Sequence, residues 1–68
     1  MDQETFNLGI RKFLKMVGVN SQREIEQAVN KALEAGRLRG DEALTARMML
    51  EIPALGLKVP FESEIKLK

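Results

Sequence analysis

The sequence predicts an α+β domain: two N-terminal helices, about residues 2–17 and 21–35, packed on a C-terminal antiparallel β-hairpin, about residues 43–52 and 57–67. Three observations carry this. Apolar residues recur at helical spacing through the first half of the chain. The period switches to two after residue 42. The segment PALG, Pro53 to Gly56, interrupts the alternating stretch near its middle and reads as a turn.

In the first helix, Asp2 is the expected N-cap and Glu4 lies in the first turn, where the helix dipole favours an acid. Phe6, Ile10, Phe13, Leu14 and Val17 share one face, within about 100° of arc. Arg11, Lys12 and Lys15 occupy the opposite face, with Leu8 set among them. Gly18 is expected to end this helix as a left-handed C′ residue, leaving Val19 and Asn20 as a very short connection.

The second helix has a start signal in Ser21 followed by Glu24, the spacing of a capping box. Ile25, Ala28, Val29, Ala32 and Leu33 form its apolar stripe, and Gly36 fits its C′ position. Arg37 to Glu42 follow as a polar connection with Gly40 as a turn residue.

In the hairpin, Leu44, Ala46, Met48, Leu50 and Ile52 alternate with polar residues and Met49. Leu57, Val59, Phe61, Ser63, Ile65 and Leu67 alternate with Lys58, Pro60, Glu62, Glu64, Lys66 and Lys68. A four-residue loop sets Ile52 opposite Leu57, Leu50 opposite Val59, Met48 opposite Phe61 and Ala46 opposite Ser63. It also sets Glu51 against Lys58 and Arg47 against Glu62, two charge-complementary pairs that were not used to choose the register. Pro60 has no N–H, so it must face outward from the ladder or sit at a bulge.

With 68 residues the chain holds one small domain, residues 1–68, with a thin core. Cys, His, Trp and Tyr are all absent, and 11 basic residues stand against 10 acidic ones, a net charge of +1 that argues neither for nor against a polyanionic partner. No apolar run reaches the ~18 residues of a membrane span, and the acidic N-terminus is unlike a signal peptide, so a cytoplasmic protein is expected.

The run Ile10 to Lys15 (IRKFLK), joined through Val17 to Val19 (VGV) to Ser21 to Glu26 (SQREIE), resembles a family of short bacterial proteins of unknown function. The likeness extends over nearly the whole chain. It implies a stand-alone bacterial protein and brings no activity, cofactor or catalytic residue with it.

The composition argues against enzymatic chemistry. The commonest general base and the best nucleophile are missing, and no phosphate-binding glycine loop is present. No catalytic, metal-binding or cofactor-binding residue is expected, and no small-molecule substrate is evident. Two binding roles remain. The favoured one is a protein-interaction or self-associating module, a homodimer or a partner of another protein, with Leu8, Met49 and Leu55 as its exposed apolar residues. The alternative is a nucleic-acid-binding helix-turn-helix with the hairpin as a wing. There Arg11, Lys12, Lys15, Arg37 and Arg39 would meet phosphates. A solvated basic helix face is the plainer account of those cations.

Overall fold

A long helix comes first. The computed structural model describes residues 1–68, and its elements are α1 (Gln3–Glu34), β1 (Ala43–Ile52), a 3-10 turn (Pro53–Leu55) and β2 (Leu57–Lys66). The chain divides into two units, Met1–Arg37 and Leu38–Lys68.

The first unit corrects the sequence reading. Two helices broken between Gly18 and Ser21 are expected; a single helix of 32 residues runs through both. At 1.5 Å per residue it is about 48 Å long. Gly18 is not among the glycines with positive φ, so it is a helical residue and not a cap. Ser21 and Glu24 are helix-interior residues and form no capping box. The physical reason lies in phase. Val17, Ser21 and Ile25 are spaced by four, so the first apolar stripe runs on without a break into the second, which winds onward around the helix. An interior glycine costs about 1 kcal/mol relative to alanine, which weakens a helix without ending it. No proline precedes Pro53, so nothing in this region forbids the helical hydrogen bonds.

The outer limits follow the sequence. Asp2 caps the start: its carboxylate accepts from the Glu4 and Thr5 amides at 3.0 and 3.2 Å. Gly36 closes the end with φ 74°. Its N–H donates to the Leu33 carbonyl at 3.1 Å and the Arg37 N–H donates to the Ala32 carbonyl at 2.9 Å. This pair of bonds is a Schellman closure, and it satisfies carbonyls that the helix end would leave unpaired.

The second unit is a two-stranded antiparallel hairpin in the register read from the sequence. Ile52 faces Leu57, Leu50 faces Val59, Met48 faces Phe61, Ala46 faces Ser63 and Arg47 faces Glu62. Pro53 opens the 3-10 turn, and Gly56 leaves it with φ 62° and an N–H bonded to the Pro53 carbonyl. β2 ends at Lys66, one residue short of the expected 67, yet the Leu67 N–H still donates to the Glu42 carbonyl at 3.0 Å. The entry to β1 is held by Glu42, whose carboxylate accepts from the Arg39 amide at 2.9 Å and the Gly40 amide at 3.0 Å.

Neither unit contains a fully buried side chain. The α1 stripe and the even-numbered face of β1 therefore remain partly or wholly exposed along their length.

Candidate functional site

The most extensive chemical feature of the chain is uncovered apolar surface, arranged in two faces. On α1, Phe6, Ile10, Phe13 and Val17 continue through Ser21 into Ile25, Ala28 and Ala32. The average step along this line is about 3.7 residues, close to the 3.67 of an 11-residue repeat and longer than the 3.5 of a heptad. Such a stripe winds slowly around a nearly straight helix. Phe6, Ile10, Phe13, Leu14, Ile25 and Leu33 are all exposed.

The second face belongs to the hairpin. Leu44, Ala46, Met48, Leu50 and Ile52 project from β1 to the same side as Leu57, Val59, Phe61 and Ile65 from β2. Phe61 leaves 57% of its surface in water. Successive residues alternate across the sheet, so the other face carries Arg47, Met49 and Glu51 from β1 against Glu62, Pro60 and Lys58 from β2. Arg47 Nε meets Glu62 Oε2 at 3.0 Å, with both side chains more than half exposed. Glu51 and Lys58 are opposite one another but do not close an ion pair.

The hairpin has two edges, and they differ. The bond from the Leu67 N–H to the Glu42 carbonyl makes 42 and 67 a hydrogen-bonded pair. By alternation, the pairs of even-numbered β1 residues bond across the ladder, while odd-numbered β1 residues and their partners aim their polar groups outward. Pro60, opposite Met49, therefore sits where no ladder N–H is needed, which is the first of the two placements expected of it. It also deletes one of the five outward donors of β2, the other four belonging to Lys58, Glu62, Glu64 and Lys66. The outer edge of β1 keeps every donor from Ala43 to Glu51.

The residues expected to form sites are distributed as follows. Leu8 lies on α1, Met49 on the polar face of β1 and Leu55 in the hairpin turn, where it is 73% exposed. All three are exposed, but Leu8 belongs to one unit and the others to the second. Arg11, Lys12 and Lys15 fall in the N-terminal half of α1; Arg37 lies beyond its last residue and Arg39 in the second unit. About 28 Å of helix separates Lys15 from Glu34. The helix-turn-helix that would have aimed these cations is not formed, because the turn is helical. The continuous α1 stripe is what the sequence reading missed as a surface. The four-residue spacing of Val17, Ser21 and Ile25 was the available signal.

Two carboxyls are perturbed. Hydrogen bonds from the Thr5 backbone, and secondarily the Thr5 side chain and Glu4 backbone, hold Asp2 below its ordinary 3.8. The Arg39 backbone, then that of Gly40, holds Glu42 below its ordinary 4.5. Both are structural caps, with no substrate-sized recess implied by either. No group of three or more His, Cys, Asp or Glu side chains could hold a metal ion, and no helix is long and apolar enough to cross a membrane.

The family model described as Family of unknown function (DUF6494) matches residues 1–68. No curated protein matches the chain. No solved structure matches it either.

Proposed function

The chain belongs to this family of unknown function, and we propose that it works as a self-associating, non-enzymatic interaction module whose partner is a second copy of itself. The observation that carries the reading is that no side chain is fully buried. A lone helix draws most of its stability from packing its apolar face, and a lone two-stranded hairpin is marginal in water. Both units have the apolar face and lack an internal layer to bury it. The bacterial source and cytoplasmic setting expected from the sequence are carried in the same proposal.

Sedimentation equilibrium from low to high micromolar concentration tests it. A species of twice the 7.7 kDa chain mass, dissociating on dilution, is the expected result. Phe13→Asp, on the α1 stripe, should shift the equilibrium to monomer. A monomer of unchanged secondary structure across the whole range would refute self-association.

A further inference from the structure

We infer that two copies join through the outer edge of β1, making a four-stranded antiparallel sheet in the order β2-β1-β1-β2 about a two-fold axis at Met49. This rests on the self-association just proposed and specifies the strand-to-strand contact within it. The choice of edge follows from Pro60. The β2 edge lacks the Pro60 N–H and every other outward residue on it is charged, whereas the β1 edge offers a complete row of outward N–H and C=O groups at Thr45, Arg47, Met49 and Glu51.

The register follows from charge. Outward-bonding residues of β1 are odd-numbered, so a two-fold pairing must set odd residues against odd ones. Centring the axis on Arg47 would put two guanidinium groups face to face, which is repulsive. Centring it on Met48 would put Arg47 against Met49 and Thr45 against Glu51, with no opposite charges directly paired. Centring it on Met49 sets Met49 against its own copy and Arg47 against Glu51 of the other chain. The existing hairpin pairs then extend this contact. Across the four strands runs Glu62, Arg47, Glu51, Lys58, the first two from one chain and the last two from the other, alternating in sign throughout. The two-fold axis repeats the row on the other side of Met49. On the opposite face, Met48 meets Leu50 and Ala46 meets Ile52, so the apolar faces of the two hairpins merge into one. The arrangement also gives Glu51 and Lys58 a role, since they close no ion pair within the single chain.

The absence of native cysteine makes the test direct. At the axis, directly opposed residues of a hydrogen-bonded pair have Cα atoms about 5.5 Å apart, within disulfide reach. Met49→Cys should therefore oxidise to a covalent dimer at least tenfold faster than Leu55→Cys, which is more exposed. Equal rates would mean chance collision and would overturn the register. An independent experiment mixes Arg47→Glu chains with Glu51→Lys chains. Each variant alone opposes like charges twice and should dimerise roughly tenfold more weakly than the native chain. Their mixture keeps one native row and forms one reversed row, so the heterodimer should be preferred. Dimerisation by the native chain with no heterodimer preference in the mixture would overturn edge pairing through β1 and leave self-association standing. A native chain that stays monomeric would overturn both.

Discussion

Replacing Gly18 with alanine should stabilise the protein. Gly18 is helical, its φ is not positive, and a Cβ built on it meets nothing within 4 Å. The substitution therefore removes the backbone-entropy cost of an interior glycine without a steric cost, a gain of about 0.5–1 kcal/mol. For a domain of this size that raises Tm by roughly 2–8 °C. The sign is the point. If Gly18 closed a separate first helix in the left-handed region, a Cβ there would cost about 1–2 kcal/mol and Tm would fall. Gly36 supplies the internal comparison: with φ 74° in a Schellman closure, Gly36→Ala should lose about 1–2 kcal/mol. Thermal unfolding followed by circular dichroism at 222 nm, at one fixed protomer concentration, measures both. The concentration must be fixed because association stabilises the folded chain by mass action. Gly9→Ala, with the same open surroundings, should behave as Gly18→Ala does. A fall in Tm for Gly18→Ala with a rise for Gly9→Ala would refute the continuous helix.

Other outcomes follow from the same geometry. The Arg47–Glu62 pair is well exposed on both sides, so a double-mutant cycle should give about 0.2–1 kcal/mol, shrinking in high salt; a larger, salt-insensitive coupling would contradict its exposure. Asp2 and Glu42 both have folded pKa values below their ordinary 3.8 and 4.5. The unfolded chain therefore binds more protons in this range, so their stabilisation is complete above about pH 5 and is lost as pH falls through the folded values. Acid titration by NMR should find both carboxyls titrating below 3.8 and 4.5 respectively, and Glu42→Gln should remove the acid sensitivity of the Arg39 and Gly40 amides. Raising protomer concentration should raise Tm, and Phe61→Asp on the apolar hairpin face should flatten that dependence; a native Tm independent of concentration would count against association.

The hairpin register was legible in the sequence to the residue, and α1 only near its ends. Register in a strand is rigidly coupled to side-chain alternation, so a one-residue slip would have inverted both faces and broken the Arg47–Glu62 pairing. Asp2 and Gly36 act where their side-chain chemistry or its absence is unmatched by alternatives. Gly18 and Ser21 are different. A glycine ends a helix only if the chain turns there, and a serine caps one only if its own backbone leaves the helix. Both residues are tolerated in a helix interior at a cost near 1 kcal/mol or less. The in-phase stripe across Val17, Ser21 and Ile25 outweighs two such weak signals. The sequence reading offered Leu8, Met49 and Leu55 as separate surface residues, and of these only Met49 lies on the β1 edge. The difference between the two strand edges depends on which pairs are hydrogen-bonded, and that parity became fixed only with the bond from the Leu67 amide to Glu42.

The bond pattern has a kinetic consequence. Every hydrogen bond of α1 spans a few residues, and the hairpin is closed by a turn between adjacent strands. Ordering either element requires no distant segments of the chain to find each other. Helices form in about a microsecond and hairpins in about 1–10 microseconds. A second copy must arrive by diffusion, at a rate set by how many chains are present. In dilute solution the slow event in maturation would be this encounter, and stopped-flow refolding should show a phase whose rate rises in proportion to protein concentration.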